Sequence, residues 1–173
     1  MLWKEEKKQE LTNRKKEETM GKVFGYPEFD ENGEQILTTY DNEYKDMLMD
    51  VRVYRMKAGD EKSFQKTGEE TAVLLLSGSI EFTFDDVTAK ADRKDVFTEG
   101  PWCVHVATES KISVKALADS EILVQSTKND TKFESKLYKP EDAPWGYSSV
   151  GKFGNVAKRR VNTIFDHDIA PYS

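Results

Sequence analysis

Residues 71–86 read TAVLLLSGSIEFTFDD, and the reading of this stretch decides the fold class. Thr71 to Leu76 is a short continuous apolar run, the mark of a buried strand. Ser77-Gly78-Ser79 reads as a turn. Ile80, Phe82 and Phe84 then alternate with Glu81 and Thr83, which puts three large apolar side chains on one strand face. Asp85-Asp86 turns the chain again. The same grammar extends both ways. Upstream, Met47, Met49, Val51 and Val53 share one strand face until Ala58-Gly59-Asp60 breaks it. Downstream, Trp102 to Val106 follows the breaker Gly100-Pro101. Ile112, Val114 and Ala116 alternate with Ser113 and Lys115, and Glu121 to Ser126 is a last clear strand. At least six short strands therefore fall between residues 47 and 126, with turns every eight to twelve residues and no helical period. That spacing predicts an all-β sandwich or barrel rather than a βαβ fold.

The whole chain has 173 residues and a formal net charge of −6, from 26 Lys+Arg and 32 Asp+Glu. An aromatic content of 11% excludes a disordered acidic chain. No run of 18 apolar residues is present, so no membrane-spanning helix is expected. The first twenty residues hold eleven charges and no apolar stretch, so no signal peptide is expected there. One cysteine, Cys103, cannot form an internal disulfide and fits a cytoplasmic protein. The net negative charge argues against nucleic acid as a partner. Two histidines, His105 and His167, are too few for a histidine-rich metal centre within this chain.

The flanks differ from the middle. Residues 1–22 are dominated by Lys and Glu and read as a charged N-terminal extension. Residues 23–135 form the expected domain. In its first part Asn32-Gly33 is placed to turn the chain between Phe29 and Ile36-Leu37. Residues 136–173 read as a connector. Lys152, Lys158, Arg159 and Arg160 make a basic cluster there, and Lys158, Arg159 and Arg160 are candidate contacts for an anion such as a uronate carboxylate or a phosphate.

Two sets of residues carry a resemblance. Gly59 is followed six positions on by Gln65 and eight on by Thr67; Glu70 comes next, and Gly78 closes the stretch. This resembles the first motif of the cupins, with both motif histidines replaced and Glu70 near the glutamate position. Gly100-Pro101-Trp102-Cys103-Val104-His105 resembles the second cupin motif. Longer stretches are more specific: Asp46 to Asp50, Pro101 to Val106, Phe133 to Tyr138, Arg160 to Asp166 and Ala170 to Ser173. Together they resemble the N-terminal half of the 5-deoxy-glucuronate isomerases of inositol catabolism, which share a family with the 4-deoxy-5-keto-uronate isomerases.

The resemblance implies a cupin-type double-stranded β-helix, a jelly-roll barrel, as one half of a two-cupin protein. It implies a sugar acid substrate and a homo-oligomer. It also implies that zinc or another divalent metal sits in a second cupin, beginning beyond Ser173, so that this chain holds no metal of its own. Gln65, Thr67, Glu70 and His105 would then be vestigial cupin-site positions. A scaffold or oligomerisation half is one expectation; a stand-alone metal-free cupin that binds a sugar acid is the other.

The chemistry explains why these positions matter. An aldose–ketose isomerisation moves a proton between carbons beside a carbonyl. It needs a base at the carbon and an electrophile at the carbonyl oxygen. Zinc as that electrophile needs about three protein ligands and an open position. His105 is one plausible ligand by position, Glu69 or Glu70 a second, and Gln65 a weak third. A structural histidine is the plainer reading of His105, and His167, between Asp166 and Asp168, reads as a surface residue. Cys103 lies between Trp102 and Val104 with no adjacent cation to activate it, so it reads as buried and inert. Glu69 and Glu70 are neighbours on a strand and should face opposite ways. No catalytic residue is assigned.

Overall fold

The computed structural model describes residues 27–173, and the expected charged extension at 1–22 lies outside the described residues. Eleven strands follow in order: β1 (Glu34–Thr38), β2 (Met49–Met56), β3 (Glu61–Phe64), β4 (Glu69–Phe84), β5 (Val87–Arg93), β6 (Trp102–Val106), β7 (Ile112–Ala116), β8 (Ser120–Lys128), β9 (Lys136–Tyr138), β10 (Trp145–Ser148) and β11 (Arg159–Asn162). All pairings are antiparallel. The expected all-β jelly-roll barrel is what the chain forms.

Residues 71–84 belong to β4, the spine of the barrel. Ser77-Gly78-Ser79 is not a turn: β4 runs on through it for 16 residues. The first half of β4 pairs with β6 and β8, in a sheet ordered β1-β2-β8-β4-β6-β9. Its second half pairs with β5 and β7, and β3 adds to β7. The register slips between Leu75 and Ser77, and Gly78 takes a φ of 104°, so the strand bends from one sheet into the other at this point. A β-branched or bulky residue would resist that φ; glycine does not.

Between the sheets lies one core. Tyr54 and Met56 of β2 meet Val73 and Leu75 of β4 there. Ile80, Phe82 and Phe84 come from the far half of β4, Val104 and Val106 from β6, Ile112 and Val114 from β7, and Ile122 and Val124 from β8. The alternation at Ile80, Phe82 and Phe84 and at Ile112, Val114 and Ala116 points inward as read. The face of β2 does not. Met47 lies before the strand and is 61% exposed, Met49 and Val51 are half-buried, and the inward set is Tyr54 and Met56. A shift of one residue exchanges the two faces of a strand. Each large side chain buried this way contributes roughly 1.5–3 kcal/mol.

One buried cation pins the connection after β5. The Arg93 guanidinium donates to the carbonyls of Leu75 (2.7 Å) and Glu99 (3.2 Å), tying the 94–100 loop to the spine strand. At the other end of the chain, the stretch read as a connector contributes β9, which pairs with β6. Strands β10 and β11 form a separate two-stranded ribbon. Among the described residues, no helix is long and apolar enough to cross a membrane.

Candidate functional site

The inward face of β2 continues from Tyr54 and Met56 to Arg52 and Asp50, and the inward face of β4 runs from Leu75 and Val73 to Thr71 and Glu69. One end of the barrel interior is therefore polar. Arg52 donates to both oxygens of Asp50 (2.7 and 3.1 Å) and to Glu34 (2.8 Å). Tyr54 donates its hydroxyl to the same Glu34 oxygen at 2.8 Å. Lys66 bridges Asp50 and Glu69, 3.1 Å from each. Deeper in, the Thr71 and Ser126 hydroxyls bond to each other at 3.1 Å.

These charges hold each other. The Arg52 hydrogen bond is the main reason the Glu34 carboxyl sits below the usual range. Burial pushes the Asp50 carboxyl up, but Arg52 and Lys66 together bring it below its ordinary value. Arg52 is held in its charged form chiefly by Asp50. Burial, reinforced by Glu69, pushes the Tyr40 phenol up to about 12. Two cations face three carboxylates, so no uncompensated positive charge is left there for a substrate carboxylate. The sequence reading did not pick out this network. Its signal was the pair Asp50 and Arg52, two residues apart on the strand that also carries Tyr54 and Met56.

The four positions read as vestigial cupin-site residues do not come together. Gln65 is exposed and donates to the Glu109 carbonyl at 2.8 Å; Thr67 is exposed as well. Glu70 and His105 do meet, but on the outer face of the sheet. The residues that face the interior are their neighbours Thr71 and Val106, which are paired across β4 and β6. His105 Nε2 lies 3.5 Å from Glu70 Oε2, a close polar contact without hydrogen-bond geometry. Asn129 donates to that oxygen and Ser173 to the other, each at 2.8 Å. Burial raises the Glu70 carboxyl, and His105, Ser173 and Asn129 beside it bring it below its ordinary value.

A cover of aromatic rings closes over this pair. The His105 ring stacks on Phe165 with centroids 4.4 Å apart and planes within 4°, and it touches Phe133 at 4.7 Å. Phe133 in turn stacks on Tyr172. His105 is 1% exposed, and neither of its ring nitrogens makes a hydrogen bond among the described residues. One histidine and one carboxylate fall short of the ligands a divalent metal needs. No group of three or more His, Cys, Asp or Glu that could hold a metal occurs among the described residues. The donor set does not fit zinc.

Cys103 pairs across the sheet with Tyr138 on the same outer face, and burial pushes its thiol up to about 12. Glu69 and Glu70 do face opposite ways, one toward Lys66 and one toward His105. His167 is exposed. Lys158, Arg159 and Arg160 lie at the β10–β11 ribbon, all exposed. Arg160 stacks over Trp145 with its guanidinium carbon 3.0 Å from the ring centroid, and the Lys158 ammonium lies 4.2 Å above the Tyr147 ring.

Comparison with known proteins places this geometry. The model of the KduI/IolB family matches residues 25–173. The fold is similar to the crystal structure of an IolB-like protein from Salmonella typhimurium LT2. The TM-score is 0.69 at 16% identity, over 83% of this chain and 54% of that one. The chain thus spans about half the length of that relative. It is also similar to protein YlbA from E. coli, with a TM-score of 0.53 at 16% identity, over 70% of this chain and 51% of that one. A cupin 2 domain-containing protein from Halorhodospira halophila matches with a TM-score of 0.45 at 16% identity, over 65% of this chain and 71% of that one. No curated protein matches the sequence.

Proposed function

We propose a function from one premise: the chain belongs to the KduI/IolB family, a family of sugar isomerases. In our reading it is the N-terminal cupin half of a cytoplasmic isomerase that converts 5-deoxy-glucuronate to 5-keto-2-deoxy-gluconate in inositol catabolism. This half serves as scaffold and oligomerisation unit. Zinc or another divalent metal, together with the acid–base groups, belongs to a second cupin.

The observation that carries this division of labour is the state of the barrel interior. In this chain it is filled with apolar side chains and closed at one end by mutually paired charges. The half-length correspondence with the IolB-like structure agrees with it. A proton transfer beside a carbonyl needs a base and an electrophile within about 3 Å of the reacting atoms, and the interior carboxylates Glu34, Asp50 and Glu69 are already engaged by Arg52, Tyr54 and Lys66.

The test uses this chain alone, assayed for metal content and for turnover of 5-deoxy-glucuronate. The reading expects substoichiometric metal and no turnover. Stoichiometric metal with turnover would overturn it. A second reading, a stand-alone cupin that binds a sugar acid, rests on the exposed cations at Lys158, Arg159 and Arg160. Calorimetric binding of glucuronate, abolished by Arg159→Ala, would favour that reading.

A further inference from the structure

The β10–β11 ribbon is a surface without a partner. No strand of the barrel sheet pairs with it. A two-stranded ribbon has little stability of its own in water. This one nevertheless holds large apolar side chains in solvent: Tyr147 is 63% exposed, Phe153 74% and Val156 85%. Phe153 and Ser149 also take left-handed φ values, of 52° and 63°. Such backbone conformations are unfavourable for residues other than glycine and concentrate where a segment has work to do. From Ala143 to Phe165 the chain has no carboxylate, while carrying Lys152, Lys158, Arg159 and Arg160. None of the four makes an ion pair among the described residues.

The complement to this ribbon lies elsewhere on the same chain. A cleft of about 710 Å³ is lined by Phe29, Asp30, Glu31, Asp60, Asp119 and Glu121, among others. Its two cations are already engaged: Arg55 bonds Glu121 at 3.0 Å and Lys57 bonds Asp119 at 2.7 Å. The cleft therefore presents surplus negative charge. Phe29 adds an aromatic ring to its wall, one face of which the chain's own Arg55 already covers at 3.8 Å.

We infer that the β10–β11 ribbon of one copy docks into the Phe29–Glu121 cleft of a second copy. The ribbon's cations meet the cleft carboxylates, and its exposed aromatic side chains are buried against the cleft wall. Opposite charge favours the encounter and fixes the orientation, and apolar burial holds the contact. Only the biological role of this contact, as the oligomerisation surface of a scaffold half, rests on the isomerase reading. The contact itself is measured without substrate.

Sedimentation velocity of the intact chain tests it, in low salt and then as sodium chloride rises from about 50 to about 500 mM, where exposed charges are screened. The expected result is association in low salt that weakens about tenfold or more across that range. Arg159→Glu with Arg160→Glu should make the chain monomeric, and so should Glu31→Arg with Glu121→Arg. The variant with all four changes should associate again, because both partners have exchanged sign. A monomeric wild type, or an assembly indifferent to salt, would overturn the inference without needing any variant to fold. Association that survives the ribbon reversal would also overturn it, as would a folded four-fold variant that stays monomeric.

Discussion

The Glu70 carboxylate and the His105 imidazole face each other across 3.5 Å on the outside of the barrel, one residue out of step with the inward pair Thr71 and Val106. The pair does not look into the lumen. It sits beneath the C-terminal segment, and the hydroxyl of Ser173 reaches back to the free oxygen of Glu70. Asn129 completes the fastening by donating both to Glu70 and to the carbonyl of Tyr172. This arrangement clasps Tyr172 and Ser173 to the sheet.

Replacing Glu70 by Ala removes the acceptor shared by Ser173 and Asn129 and leaves His105 without a carboxylate. The expected loss is about 1–3 kcal/mol, the range for leaving buried polar groups unpaired. The loss should be local. Limited proteolysis should cut the segment around residues 163–173 faster while the barrel stays resistant. An unchanged cleavage pattern would mean that the rings of Phe165 and Tyr172 hold the segment without the clasp.

Acid should weaken the fold through three carboxyls. Hydrogen bonds hold Glu34 and Glu70 below their ordinary value of 4.5, and Asp50 below 3.8. The folded state thus releases these protons more readily than the unfolded chain does. The stability they contribute is complete above the unfolded values and disappears as pH falls through the folded ones. Urea midpoints should be nearly level from about pH 7 to about pH 5 and should drop below about pH 4.5. Glu34→Gln should lower the neutral midpoint and flatten the acid decline, since one titrating group is gone. A variant with the wild-type acid slope would show that Glu34 contributes nothing to it.

Cys103 should be silent in the native protein. Burial alone raises its thiol to about 12, so almost no thiolate exists at neutral pH. A thiol reagent at about pH 8 should label it only at the rate at which the sheet under the C-terminal segment opens. Denaturant should release one equivalent of thiol, matching the single cysteine of the chain. In Glu70→Ala labelling should accelerate, because the clasp and Cys103 share the outer face. Rapid stoichiometric labelling of the folded wild type would contradict this burial.

Which parts of this were legible in the sequence follows from how strands carry information. A period-two pattern identifies a strand, and the side chains at Ile80, Phe82 and Phe84 are large enough to fix their face as well. In β2 both sets of alternating residues include apolar side chains, so the pattern alone could not choose between Val53 and Tyr54. Only the partners across the sheet decide that. The same geometry separates the cupin-like positions: Glu70 and His105 lie one residue from the inward Thr71 and Val106. Strands β3 and β5 give no such signal: β3 is four residues with Phe64 its one apolar side chain, and β5 alternates the small Ala89 and Ala91 with polar residues. The mouth network was invisible for a different reason. Glu34, Asp50, Arg52, Lys66 and Glu69 come from separate segments that only the barrel brings together.

The bend in β4 supplies the last prediction. Ser77-Gly78-Ser79 looked like a turn because Gly flanked by Ser normally is one. Here the same residues let the spine strand cross between sheets while Ser120 bonds the backbone alongside. The Ser79 amide donates to the Ser120 hydroxyl at 3.0 Å, and that hydroxyl lies 2.8 Å from the Ala118 carbonyl. A Cβ at position 78 would collide with the Ser120 hydroxyl and come within 2.5 Å of the Asp119 carbonyl oxygen. Gly78→Ala therefore adds a steric clash to the strain of a φ near +104°. Its expected cost is on the order of 3 kcal/mol or more, from backbone strain and overpacking together. Gly59→Ala is the matched control: φ there is +93°, but a Cβ would meet nothing within 4 Å. That change should cost about 1–2 kcal/mol, the backbone penalty alone. The difference between the two, measured by urea denaturation at neutral pH, reports how tightly β8 packs against the bend. Equal losses would mean that the backbone angle, and not the packing against Ser120, is what demands glycine at the crossing.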